Sequence, residues 1–165
     1  MKRNCLAISA FVALVTGSLF AQSQLVASAA EPATAGAAPS PMDLPPSPTA
    51  LQEVRDNVKD IHFDFDRADL RPEDRSTLQA DAEWLKSHPD MVVVIEGDAD
   101  ERGDIVYNVD LSQKRASTAK DALVAMGVPA DQIVFATGWG KLYPICEQAD
   151  ESCWSQNRRA HFRAW

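Results

Sequence analysis

The stretch Met91-Val92-Val93-Val94-Ile95-Glu96-Gly97-Asp98-Ala99-Asp100-Glu101-Arg102-Gly103 decides how the chain folds. Its opening residues form the most strand-like run in the sequence, apolar and β-branched, as expected of a strand in the middle of a sheet. Gly97 and Gly103 bound a charged loop, and a long amphipathic pattern over residues 106–126 follows it. A charged loop handed from strand to helix predicts a ligand site, because the strand holds in place the loop that carries the chemistry.

Upstream, Leu51, Val54 and Val58 predict a short helix. Residues 60–66 alternate apolar and polar with period two, which predicts a half-buried strand. Ile61, Phe63 and Phe65 would face inward, and His62, Asp64 and Asp66 outward. Leu70-Arg71-Pro72-Glu73-Asp74 opens a helix, with proline in its first turn and acids at the positive end of its dipole. Leu78, Ala82 and Leu85 form its inward stripe, and Ser87-His88-Pro89-Asp90 stops it. Downstream, the second long helix ends at Gly127, with Pro129 just beyond. Residues 133–137 predict a third strand, broken by Gly138-Trp139-Gly140. An irregular loop runs to Ser155, and residues 157–165 alternate again as a terminal strand. The order β-α-β-α-β-loop-β predicts an α+β two-layer sandwich, with helices on one face of a mixed four-stranded sheet.

The chain is 165 residues long and 45% apolar, enough for one domain with extensions. Its net charge of −8 lies within residues 48–165, since Lys2 and Arg3 balance Glu31 and Asp43. An acidic domain without a basic stripe is a poor partner for polyanions, which excludes nucleic acid. Lys2 and Arg3 precede an uncharged run over residues 6–30 that ends near the small-x-small triplet Ala27-Ser28-Ala29. This predicts a signal peptide over residues 1–30 and export to the periplasm. An uncleaved anchor is the alternative, weakened by Gly17-Ser18 and Gln22-Ser23-Gln24. Cys5 precedes the apolar run, too close to the start for lipid attachment. Residues 31–48, rich in alanine and proline, read as a linker. The folded domain is expected over residues 49–165.

On a helical wheel of about 100° per residue, Leu111, Ala119, Ala122 and Met126 share one side of the second long helix. Asn108 and Arg115 fall inside that same stripe. A guanidinium facing inward needs a carboxylate or a cleft edge, and Asp100 stands just upstream. Either Asp100 and Arg115 form a structural ion pair, or they stand apart and clamp a ligand carrying both an ammonium and a carboxylate. The residue pattern leaves both open.

Several words sharpen the choice: Phe63-Asp64-Phe65-Asp66, Asp100-Glu101-Arg102-Gly103, Tyr107-Asn108, Leu111-Ser112-x-x-Arg115-Ala116 and Asn157-Arg158-Arg159-Ala160. Through these the chain resembles the OmpA-like peptidoglycan-binding domains from about residue 58 onward, most closely their peptidoglycan-associated lipoprotein branch. The resemblance implies an OmpA C-terminal-like fold and non-covalent binding of peptidoglycan, linking an envelope protein or the outer membrane of a Gram-negative cell to its wall. The implied ligand is the meso-diaminopimelate group of the stem peptide. Asp100 would take its ammonium and Arg115 its carboxylate. Asn108, Leu111, Phe65 and Asp66 would line the pocket, and backbone of the Arg102 loop would close it. A Tol-system or other envelope protein is implied as a possible partner. The chain departs from the family at Asp98, where histidine is usual, and in lacking the lipid-attachment cysteine.

Cys146 and Cys153, close together in an exported chain, predict a disulfide. His62, His88 and His161 are scattered without metal spacing. No Ser–His arrangement, phosphate loop or nucleotide fingerprint is present. Asp98 and Asp100 could be proposed as an acidic pair for hydrolysis of the wall; without any other catalytic arrangement, the chain is read as a binding module without cofactor rather than an enzyme.

Overall fold

The computed structural model describes residues 45–165. The expected signal peptide and all but the last four residues of the expected linker lie outside that range. Ser47 accepts from the Ala50 amide and Pro48 is the first residue of α1 (Pro48–Asn57), where the missing N–H would have had no partner within the helix. The chain continues through β1 (Ile61–His62), α2 (Asp74–Ser87), β2 (Val93–Asp98) and α3 (Ile105–Ala125). A short 3-10 turn then leads to β3 (Ile133–Gly140), α4 (Glu151–Asn157) and β4 (Arg159–Ala164). The sheet order is β1-β4-β2-β3. β4 runs antiparallel to both β1 and β2, while β2 and β3 are parallel. β2 therefore sits inside the sheet, and the fold is the expected mixed sheet with helices against one face.

Ile61, Val93, Ile95 and Phe162 meet Leu78, Leu85 and Leu123 in the core beneath the helices. Each such side chain contributes roughly 1.5–3 kcal/mol by leaving water. α3 approaches the sheet more closely than side chains would allow. A Cβ on Gly97 would lie 2.0 Å from the Ser112 carbonyl oxygen, and one on Gly138 2.2 Å from the Gln113 nitrogen. The Ser112 hydroxyl accepts from the Gly140 amide at 2.8 Å. Gln113 bridges strand β3, accepting from Gly138 N at 3.0 Å and donating to Ala136 O at 2.9 Å, so the helix satisfies polar groups that an edge strand would otherwise expose.

This contact corrects several expectations. Gly138 does not break β3; it lets the strand continue beneath the helix. The inward line of α3 runs through Asn108, Ser112, Arg115, Ala116, Ala119 and Leu123. Leu111, Ala122 and Met126 are only half-buried, because the glycines draw Ser112, not Leu111, onto the sheet. α2 begins at Asp74, with Pro72 and Glu73 in the preceding turn. The stretch expected to be irregular as far as Ser155 contains α4. Asp150 caps it by accepting from Cys153 N at 3.0 Å, a capping signal the sequence carries. Cys146 and Cys153 are joined by a disulfide. The strand expected over residues 60–66 ends at His62. Arg67 N donates to Asp64 O and Asp66 adopts φ +60°, a turn that leaves Phe65 56% exposed instead of inward.

Among the described residues no helix is long and apolar enough to cross a membrane. One core acid lacks full compensation. Asp81 is buried, accepts from Lys59 N at 3.0 Å, and its Oδ2 has no hydrogen-bond partner. Burial pushes its carboxyl up to about 7, against roughly 3.9 in an unfolded chain. The folded chain thus holds this proton more tightly than the unfolded chain does. Asp81 costs no stability below about pH 4, an amount that grows as pH rises from there to about 7, and a constant amount above that. Asp81→Asn is expected to raise the melting temperature at pH 8 and to lose most of that advantage at pH 4, as followed by circular dichroism.

Candidate functional site

The charged loop runs from the end of β2 to the start of α3, where Asp104 caps the helix by accepting from Tyr107 N at 2.8 Å. Arg115, three turns into α3 and fully buried, reaches back under this loop. Its Nε donates to Arg67 O at 2.9 Å, Nη1 to Asp98 O at 2.8 Å and Nη2 to Asp64 O at 3.2 Å. One guanidinium thereby satisfies carbonyls from the turn after β1 and from the end of β2. It uses three of its five N–H groups, and its Cζ lies 5.4 Å from the Phe63 ring centroid. Burial, then the Arg158 cation, push Arg115 down to about 10, so it stays charged at neutral pH.

Asp100 is not its ion-pair partner. The Asp100 carboxylate receives Arg102 Nε at 3.1 Å and Nη2 at 2.6 Å, and Arg158 Nη1 at 3.3 Å. Burial pushes this carboxyl up, but hydrogen bonds from Arg102 and Arg158 prevail and hold it below the usual carboxylate range. Arg102 is itself sandwiched, its Cζ 4.0 Å from the Phe65 centroid and 4.1 Å from the Trp154 ring. Trp154 comes from α4 and donates its Nε1–H to Glu101 at 3.1 Å. Arg158 also donates to Phe63 O at 2.9 Å and to Glu151 at 2.5 Å. The two charges are thus not mated to each other, but the expectation that both stand unmated fails at Asp100.

All seven residues expected at the site line one pocket of about 80 Å³: Phe65, Asp66, Asp100, Arg102, Asn108, Leu111 and Arg115. Asn108 braces it by donating from Nδ2 to Arg102 O at 2.7 Å. Ala99, Gly103 and Tyr107 complete the lining and were not expected there. Tyr107 donates its hydroxyl to Asp66. Its signal was available, since Tyr107, Leu111 and Arg115 recur at intervals of four on one helix face. Trp154 and Glu151 carry no such signal, because they reach the site only through α4. Asp98 was expected beside Asp100 and is not there. As the last residue of β2 it turns its carboxylate to the other face of the sheet, 2.8 Å from Arg159 Nη2. Burial pushes it up to about 6, against the pull of Arg159. The acidic pair needed for hydrolysis therefore does not converge. Among the described residues no cluster of three or more His, Cys, Asp or Glu side chains could hold a metal ion.

An open mixed four-stranded sheet with helices on one face is the fold of OmpA-like domains. The chain belongs to the OmpA family, whose profile matches residues 62–159. Over 115 residues it is 42% identical to the peptidoglycan-associated lipoprotein of Agrobacterium fabrum and 42% identical to that of Rhizobium meliloti. Each alignment covers 69% of this chain and 64% or 65% of the relative, so the chain spans slightly under two thirds of their length. The crystal structure of the peptidoglycan-associated lipoprotein from Burkholderia pseudomallei is similar with a TM-score of 0.62 at 39% identity, covering 65% of this chain and 90% of that one. A C-terminal domain of Helicobacter pylori MotB shares the fold at 16% identity, with a TM-score of 0.60 over 66% of this chain and 86% of that one.

Arg115 supports the pocket walls whatever the pocket holds. Lysine carries its three donors on a single nitrogen, where three carbonyls in different directions need the planar fork of three nitrogens that arginine spreads. Arg115→Lys is expected to cost on the order of 3 kcal/mol and to lower the melting temperature by roughly 10 °C, measured by thermal denaturation.

Proposed function

We propose that the domain binds peptidoglycan non-covalently, by capturing the meso-diaminopimelate group of the stem peptide. The observation that carries this reading is that Asp100 and Arg115 line the same cavity without pairing to each other. A ligand with an ammonium and a carboxylate on one carbon could meet both. The remaining Arg115 N–H groups and the amides at the start of α3 would receive the carboxylate. The ammonium would take the place of the Arg102 guanidinium on Asp100, and Arg102 would stay stacked on Phe65. The names of the relatives support peptidoglycan as the ligand class. The domain would work in the periplasm, against the wall and in association with the outer membrane, without turnover. The proline-rich residues 31–48 would serve as its tether and the segment before them as the export signal.

Two experiments test the reading. Asp100→Asn keeps the side-chain shape and removes the charge, and is expected to abolish co-sedimentation with sacculi while the far-ultraviolet dichroism stays native. Free meso-diaminopimelate is expected to release the wild-type protein from sacculi. Cadaverine, which keeps two ammonium groups but has no carboxylate, is expected not to. Release by cadaverine at equal concentration would mean that Arg115 reads no carboxylate, and the proposed clamp would be wrong.

A second reading, docking of another envelope protein such as a Tol-system component, draws on exposed apolar side chains next to the pocket. Ile105, Val106 and Val109 on α3 and Leu142, Tyr143 and Ile145 beyond β3 are all exposed. Lys141 ties the segment beyond β3 to the loop that leads into α3, donating to Glu101 O at 3.0 Å and Gly103 O at 2.7 Å. A patch of this kind commonly marks a protein contact. Loss of co-purifying envelope proteins in Val106→Glu, with sacculus binding intact, would favour it.

A further inference from the structure

The face of the sheet turned away from the helices carries a second pocket, of about 280 Å³, lined by Glu96, Asp98, Trp139, Tyr143 and Arg159. Strand alternation puts Glu96 and Asp98 of β2, Trp139 of β3 and Arg159 of β4 on this one side. Tyr143, from the loop after β3, stands edge-on to Trp139 with ring centroids 5.5 Å apart. The charges beneath are largely neutralised in pairs. Arg159 Nη2 meets Asp98 at 2.8 Å, Arg159 Nε meets Asp60 at 3.3 Å, and Arg163 meets Glu96 at 3.1 Å. One donor is left over: Arg159 is 94% buried, and its Nη1 has no hydrogen-bond partner among the described residues. A buried guanidinium N–H without an acceptor is costly where it stands, and an acceptor that reached it from outside the chain would relieve that cost.

The inventory narrows the ligand class. A polyanion would meet Glu96 and Asp98. A simple cation finds both carboxylates already paired. A purely apolar group would fill the aromatic side and leave the Arg159 donor unmet. What fits is a neutral ring with an apolar face and an edge of alternating donors and acceptors, that is, a sugar. Aromatic walls with a few fixed polar groups are how such ligands are oriented.

We propose that this pocket binds a pyranose ring of a glycan, an N-acetylated amino sugar. Its C–H face lies on Trp139, its hydroxyls donate to Asp98 and Glu96, and its acetamido carbonyl accepts from Arg159. The assignment of the sugar to the wall polymer rests on the peptidoglycan reading above. Asp98 links the two sites: its carbonyl accepts from Arg115 on one side of the sheet, and its carboxylate lines the sugar pocket on the other. The peptide and the glycan of the wall would then be read on opposite faces of the sheet.

The test titrates the 15N-labelled full chain with two separate probes, chitotriose (a peptide-free N-acetylglucosamine oligomer) and meso-diaminopimelate. Chitotriose is expected to shift the Trp139 indole resonance and leave the Asn108 side-chain amide in place; Tyr143→Ala, at an exposed loop position, weakens that binding by about tenfold. If Trp139 stays unmoved up to the solubility limit of the sugar while meso-diaminopimelate shifts Asn108, the sugar pocket is refuted and the stem-peptide site stands. If chitotriose shifts Trp139 and meso-diaminopimelate moves nothing, the sugar pocket stands and the stem-peptide site falls. Equal sugar affinity in Tyr143→Ala also refutes the proposal.

Discussion

The guanidinium of Arg115 is the interaction on which the site depends. It is the largest fully buried side chain of the described domain, and it meets main-chain carbonyls rather than a carboxylate. A buried ion pair fixes two side chains. This arrangement fixes two segments of backbone, the turn at residues 64–67 and the end of β2. The turn exists where the alternating pattern promised more strand because Asp64 O and Arg67 O are both held by Arg115. That turn in turn brings Phe65 and Asp66 to the pocket. An arginine buried for its donors, with its charge only partly offset by Asp100 and Asp66 through space, explains how positive character persists in a domain of net negative charge.

Around that centre the pocket is built by shared use of charged groups. Asp100 accepts from Arg102 and Arg158, Arg158 reaches Phe63 O and Glu151, and Arg102 lies between two aromatic rings. These groups come from three parts of the chain, the turn after β1, the loop before α3 and helix α4 with its end, so the rim is ordered before any ligand arrives. Receptors ordered in advance lose little conformational freedom on binding. The exchange of Arg102 for a ligand ammonium on Asp100 would then replace one charge-assisted contact by another, without leaving the carboxylate bare.

Much of this was legible in the sequence, for reasons specific to certain residues. The inner strand was visible because burial on both faces leaves an unbroken apolar run. Arg115 was visible because a charge in an apolar helical stripe has few explanations. All seven expected site residues gather at one pocket for the same reason: two adjoining elements, the β2–α3 connection and α3 itself, supply five of them. What could not be read depends on contacts between distant segments. Gly138 looks like a break until a helix is known to lie on it. Asp98 looks like a partner of Asp100 until strand alternation turns it to the opposite face. Phe65 looks inward until Arg115 claims the carbonyls beside it. Helix α4 had a local signal in Asp150, hidden by the irregular composition around it.

The strand order carries a consequence for how the chain assembles. β4, made last, lies between β1 and β2, and Arg158 just before it completes the charge cluster at Asp100. As the chain emerges from its amino end, β1 and β2 are therefore separated by a slot that nothing yet fills. The parallel β2–β3 pair can form early, but the sheet cannot close, nor the cluster at Asp100 be completed, until β4 and the residue before it arrive. Pairing across such sequence distance is slow. A growing chain of this topology keeps a gap in its sheet until β4 is made, and its charged rim is assembled only then.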